Sequence, residues 1–170
     1  STMVYFSKKK IKCVGYDIDK KKVSKINSGV IPLKDLKKWF GFDIKNLVKK
    51  NYLKATSNFN DLNSGEFIAH FIAVPTEKNG KPYYKPLMNV LNNISKIKKS
   101  KINIPPLIIV ESTLAPKVSD KKILPFLKRK NFEIGKNILF SVAPRRDWFI
   151  EGNKNLENLD RVYGSTDDYS

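Results

Sequence analysis

A chain of 170 residues is long enough for one well-buried domain and too short for two large ones. Its 41% hydrophobic and 11% aromatic content exclude a disordered tail, and its longest apolar stretch, 67–74, is interrupted by His70 and far below membrane-spanning length. The net charge of +17 invites a nucleic-acid reading, yet only four of the 33 basic residues are Arg and the lysines are scattered, which reads as a solvated basic surface.

Residues 1–7 read as a helix, with Met3, Val4 and Phe6 apolar. Residues 10–16 are a predicted strand that ends in the acidic Asp17, and 19–27 a Lys-rich helix stopping at Ser28-Gly29. The stretch 33–50 carries two short amphipathic pieces broken at Gly41. A short strand at 53–56 and a helical turn at 59–62 follow. Residues 66–74 are a buried strand ending at Pro75-Thr76, and the loop 77–82 contains Asn79-Gly80. The spacing of Leu87, Val90, Leu91 and Ile94 predicts a helix over 85–98. Residues 107–110 form the next strand, ending at Glu111-Ser112-Thr113. Pro116 suits the first turn of a helix running to 130 with a bend at Pro125, and 138–142 is a further strand. An irregular stretch leads to Arg161-Val162-Tyr163-Gly164.

Short apolar strands alternating with helices predict an α/β fold of one domain, 1–170: a Rossmann-like, doubly wound, mainly parallel sheet. Ligands of such sheets bind beyond the carboxyl ends of the strands. Those ends are Asp17, Pro75-Thr76, Glu111-Ser112-Thr113 and Ala143-Pro144-Arg145. A carboxylate closing the second strand of a dinucleotide-binding unit accepts hydrogen bonds from a ribose diol, and its glycine-rich loop lies roughly 20 residues upstream. Asp17 is too near the start for that loop to fit, so the chain is expected to lack the first strand and the loop. Cys13 is the only cysteine and reads as a small buried apolar residue. His70 has no second ligand at metal spacing and reads as structural. No signal segment opens the sequence, so a cytoplasmic protein is expected.

Taken together, the strand ends resemble the UDP-glucose/GDP-mannose dehydrogenase family, and within it the UDP-N-acetylmannosamine dehydrogenases most. The matching pieces are Gly15-Tyr16-Asp17-Ile18-Asp19 with Lys22-Val23 and Ile26-Asn27-Ser28-Gly29, then Leu53-Lys54-Ala55-Thr56. Ile72-Ala73-Val74-Pro75-Thr76, Val110-Glu111-Ser112-Thr113 and Arg161-Val162-Tyr163-Gly164 continue the set in order. The resemblance implies most of an N-terminal NAD-binding domain, without the family's central dimerisation helix and nucleotide-sugar domain. Such enzymes oxidise the C6 alcohol of a UDP-sugar, UDP-N-acetylmannosamine or UDP-glucose, to the uronate through a thiohemiacetal on a cysteine. That cysteine belongs to the second half, and Cys13 does not replace it. A homodimer is implied for the complete protein, with no nucleic-acid or membrane partner.

By the same resemblance Asp17 takes the adenosine ribose, and Val74, Pro75 and Thr76 line the cofactor. Ser112 and Thr113 face the nicotinamide, with Thr113 orienting a catalytic water, and Glu151 is the nearest match to an assisting carboxylate. Thr113 also reads as a cap for the helix at Pro116. Two positions depart from the family. Its Ser-Pro-Glu after the sixth strand is Ala143-Pro144-Arg145 here, so that Arg145 and Arg146 either reach a substrate diphosphate or pair with Asp147 and Glu151. Lys117 stands where glycine is common after the Ser-Thr pair. The chain alone is expected to be inactive, to bind NAD weakly and to be of low stability. Two other readings remain: a non-catalytic Rossmann-like binding module and a basic nucleic-acid-binding protein.

Overall fold

The computed structural model describes residues 2–33, 41–63, 66–97, 104–145 and 160–166. They divide into two compact units: residues up to 62 in the first, 63–145 with 160–166 in the second. Each unit has its own sheet and core.

In the first unit β1 (Cys13–Tyr16) pairs in parallel with β2 (Leu53–Thr56), Cys13 opposite Leu53 and Tyr16 opposite Thr56. Helix α1 (Thr2–Lys8) packs on β1. Gly15 makes that approach possible, since a Cβ there would stand 2.6 Å from Met3 Sδ. The strand begins later than the expected residue 10, because Lys10 adopts φ 65 and its N–H donates to the Ser7 carbonyl, closing α1. Helix α2 (Lys20–Asn27) is opened by Asp19, whose carboxylate accepts from the N–H groups of Lys21 and Lys22. It closes in a Schellman turn: Gly29 takes φ 81, and the Val30 N–H reaches back to the Lys25 carbonyl. Asn27, its last residue, spans to β2, donating to the Ala55 carbonyl (2.9 Å) and accepting from the Ala55 N–H (2.8 Å). Helix α3 (Lys45–Lys49) and a 3-10 turn at Phe59–Leu62 complete the unit. Of the two expected pieces within 33–50, the stretch 34–40 lies outside the described residues.

In the second unit β3 (Ala69–Ile72), β6 (Leu107–Val110) and β7 (Leu139–Val142) run parallel, with Ile72 opposite Val110 and Val110 opposite Val142. A two-residue strand, β8 (Gly164–Ser165), returns antiparallel on β7 and gives the sheet order β3-β6-β7-β8. Helix α4 (Lys85–Ile94) buries Leu87, Leu91 and Ile94, and Leu87 and Leu91 are fully enclosed with Ile108, Val110 and Phe140.

Three expectations change in detail. The loop at 77–82 is a hairpin, β4 (Glu77–Lys78) against β5 (Lys81–Pro82), because Asn79 and Gly80 both take positive φ, as a tight two-residue hairpin turn requires. The helix expected from Pro116 starts later. A π-helical turn at Ser119–Ile123 runs into α5 (Leu124–Arg129), and this wider turn precedes Pro125, which has no N–H to give and would crowd the carbonyl four residues before it. Antiparallel β8, for which no strand was expected, begins at Gly164, where the stretch expected to be irregular leads.

Candidate functional site

The carboxyl ends of β1 and β2 carry the first group of expected site residues. The Asp17 N–H donates to the Thr56 carbonyl (3.1 Å), one rung beyond the ladder. Its Oδ1 accepts from the Asp19 N–H at 2.9 Å, and Oδ2 lies 3.6 Å from Lys22 Nζ. The carboxylate is 41% exposed. It is therefore aimed by the turn that starts α2, kept near a cation, and still has lone pairs facing water, as a ribose diol acceptor must. Lys22, to which the sequence assigned no role, is the cation beside this carboxylate. Its place in the second turn from Asp17 was visible, but among so many lysines nothing marked it. Beside this end, Thr56 donates to Asp61 (2.5 Å) and accepts from the Asn58 N–H, and the rings of Tyr16 and Phe59 meet edge to face at 5.4 Å.

The second unit brings together the ends of β3, β6 and β7. Ser112, nearly buried, places its hydroxyl between both polar groups of Val74, accepting from the N–H (2.9 Å) and donating to the carbonyl (2.7 Å). The Thr76 hydroxyl donates to the Thr113 carbonyl at 2.7 Å, and the Ala115 N–H donates to the Tyr84 hydroxyl at 3.3 Å. Glu111, 2% exposed at its side chain, is met by Arg161 Nη1 at 3.1 Å. A carboxylate this deep requires a cation, and that need was readable from a Glu closing an apolar strand. Which of the scattered cations answers it was not, since Arg161 arrives from 50 residues away.

Thr113 itself is exposed, and its hydroxyl has no hydrogen-bond partner among the described residues. It does not cap a helix: the π-helical turn begins after Val118 and has no side-chain cap. Lys117 sits at φ 66, in the left-handed region where a Cβ is strained, which explains why glycine suits this place in the family pattern. Arg145 is partly buried at the end of β7, and its N–H donates to the Glu111 carbonyl at 3.1 Å. Arg146, Asp147 and Glu151 lie outside the described residues.

Cys13 is half-buried, and burial pushes its thiol up against a smaller downward pull from Ser7. Burial pushes His70, whose ring meets Phe67 at 5.7 Å, down to about 4. Among the described residues no cluster of His, Cys, Asp and Glu could hold a metal, and no helix is long and apolar enough to cross a membrane.

The model of the UDP-glucose/GDP-mannose dehydrogenase family, NAD binding domain, matches residues 1–170. The chain belongs to this family. Protein CapL of Staphylococcus aureus is 23% identical over 138 residues, which are 81% of this chain and 30% of CapL. The UDP-D-ManNAc dehydrogenase of Pyrococcus horikoshii superposes with a TM-score of 0.78 at 23% identity, covering 99% of this chain and 38% of that one. The UDP-N-acetyl-mannosamine dehydrogenase Cap5O of S. aureus gives 0.75 at 26% identity, over 96% of this chain and 38% of its own. The chain thus spans about a third of the proteins it matches, and the part matched is the NAD-binding one. The Rossmann-like, mainly parallel fold and the NAD cofactor expected from the sequence both hold. The half-exposed Asp17 carboxylate at the end of β1 fits the diol of that cofactor.

Proposed function

We propose that this chain is the NAD-binding part of a dehydrogenase that oxidises the C6 alcohol of a UDP-sugar, UDP-N-acetylmannosamine or UDP-glucose, to the uronate. The observation that carries the reading is the Asp17 carboxylate, fixed by the Asp19 N–H, flanked by Lys22 and open to water. The likeness to two UDP-N-acetylmannosamine dehydrogenases favours an N-acetylated sugar. NAD, when bound, accepts the hydride. Going from alcohol to carboxylate takes two such transfers and one water, so a group that orients water beside the reacting carbon is required. Thr113, with an exposed hydroxyl that no described residue occupies, meets that requirement. Asp17 and Lys22 hold the ribose. Val74, Pro75, Thr76 and Ser112 shape the strand ends beside the cofactor. Glu151 assists the chemistry, and Arg145 with Arg146 draws the substrate diphosphate. The complete protein works as a cytoplasmic homodimer and takes neither nucleic acid nor membrane as a partner.

In the full-length protein, Asp17→Ala should raise the NAD dissociation constant about 10- to 150-fold, the equivalent of a lost charged hydrogen bond of about 1.5–3 kcal/mol. Isothermal titration decides this, and an unchanged affinity would sink the ribose assignment. Thr113→Ala and Glu151→Gln should lower turnover more than they raise the Michaelis constant, and Arg145→Ala should do the reverse.

A further inference from the structure

The β3–β6 ladder ends in an unusual way. Its last backbone rung is the Glu111 N–H on the Ile72 carbonyl, 2.9 Å. In a parallel ladder the next rung would be the Val74 N–H on the Glu111 carbonyl. That carbonyl is instead taken from the other side by the Arg145 N–H, at 3.1 Å. The two strands therefore fork here, with β6 following β7 while β3 goes its own way. The Val74 N–H left by such a fork, on a partly buried residue, needs another acceptor. The Ser112 hydroxyl supplies it at 2.9 Å and returns its own proton to the Val74 carbonyl at 2.7 Å. Both capacities of the hydroxyl are used on one backbone residue. Beyond the fork Thr76 ties to the Thr113 carbonyl (2.7 Å), and Tyr84 holds the Ala115 N–H.

We infer that Ser112 is a positioning residue, whose hydroxyl stands in for the missing rung and sets the gap between the Val74–Thr76 turn and Thr113. It acts on a ligand only through Val74, and Thr76 does the same more weakly through Thr113. The inference rests on the reading of these strand ends as the NAD site. Its physical sense is that two loops leaving a sheet in different directions make a crevice, and a crevice binds well only when its width is fixed beforehand. A serine does this within the fork, where an apolar side chain would leave the Val74 amide unsatisfied.

The test uses the full-length protein and two measurements. Hydrogen exchange read on a peptide covering Val74 reports the clip without any cofactor, because Pro75 contributes no amide of its own. Isothermal titration with NAD and steady-state kinetics report what the clip positions. Ser112→Ala should speed Val74 exchange about tenfold or more and raise the NAD dissociation constant about tenfold, with thermal unfolding still cooperative. Thr76→Val should shift NAD binding the same way by less, and Thr76→Ser, which keeps the hydroxyl, should restore it. Unchanged Val74 exchange in Ser112→Ala overturns the inference. So does faster exchange with NAD affinity and turnover both intact. If Ser112→Ala does not fold, the Thr76→Val and Thr76→Ser pair decides alone: rescue by serine supports the inference, and equal behaviour overturns it. A wild-type protein that binds no NAD would defeat the dehydrogenase reading, while Val74 exchange would still decide whether the hydroxyl is the missing rung.

Discussion

Among the described residues, the core cluster of the first unit gathers three buried apolar side chains, Val4, Ile44 and Leu53, whereas that of the second gathers eleven. What the first unit lacks in apolar burial it meets with side chains that bond to backbone: Ser7 within reach of the Tyr52 carbonyl, Asn27 on both groups of Ala55, and Thr56 within its turn. In the second unit such clips stand at the ends of β3 and β6, where the ladder forks, and between β7 and β8, while the strands pack against α4 and α5 over a larger apolar core. Burial supplies bulk stability without direction, and hydrogen bonds supply direction with modest net energy. Each unit leans on the one its composition gives it.

The sharpest way to break this comparison is to empty the larger core. Phe140, 1% exposed, lies on central β7, and Phe140→Ala should cost the second unit about 3–5 kcal/mol in a urea titration. A loss under 1 kcal/mol would mean that the packing there does not carry the unit. A second lever is acid, and it belongs to the second unit because His70 is the chain's one histidine. Its folded value of about 4 lies below the unfolded 6.5, so between those values the unfolded chain holds the extra proton. Its contribution is fully present above pH 6.5 and is lost as the pH falls toward 4, by about 3 kcal/mol. Subtracting the pH profile of His70→Leu isolates this from the carboxylates. Identical slopes in the two proteins would show that the imidazole is protonated in the fold.

Smaller effects probe the polar side. Asn27→Ala leaves the buried N–H and carbonyl of Ala55 without their partner and should destabilise the first unit by about 1–3 kcal/mol. Hydrogen exchange confined to β2 is the readout, and protection equal to wild type would mean that water replaces the amide freely. The least effect is a gain. Lys117→Gly relieves a left-handed lysine and should stabilise the second unit by up to about 1 kcal/mol, against the backbone entropy glycine brings to the unfolded chain. A lower melting temperature in that variant would place the strain elsewhere.

Local signals carried much of this architecture. The strands at 53–56 and 107–110 stand at the residues their apolar runs predict, and Ser28-Gly29 closes α2 as a glycine there should. Local pattern could not foresee what depends on distant partners. Lys10 begins an apolar run yet ends a helix, because the Ile11 N–H bonds back to Phe6. The short β8 exists only because β7 offers it an edge. Asp17 stands at the carboxyl end of β1, where the apolar run places it, whereas its contact with Lys22 and the Glu111–Arg161 pair form only in the folded chain. Ser112 was legible as part of a motif. Its bond to Val74, 38 residues away, was not.

The amide of Asn27 has a consequence for how this protein behaves in a crowded cell. The outward N–H and carbonyl of Ala55 are the template on which a stray strand from another molecule would grow. Asn27 presents to them the same donor and acceptor that such a strand would bring, at 2.9 and 2.8 Å, and occupies the place first. A single residue thereby closes the Ala55 rung to an incoming strand, and a carboxylate in its place would lose the donor.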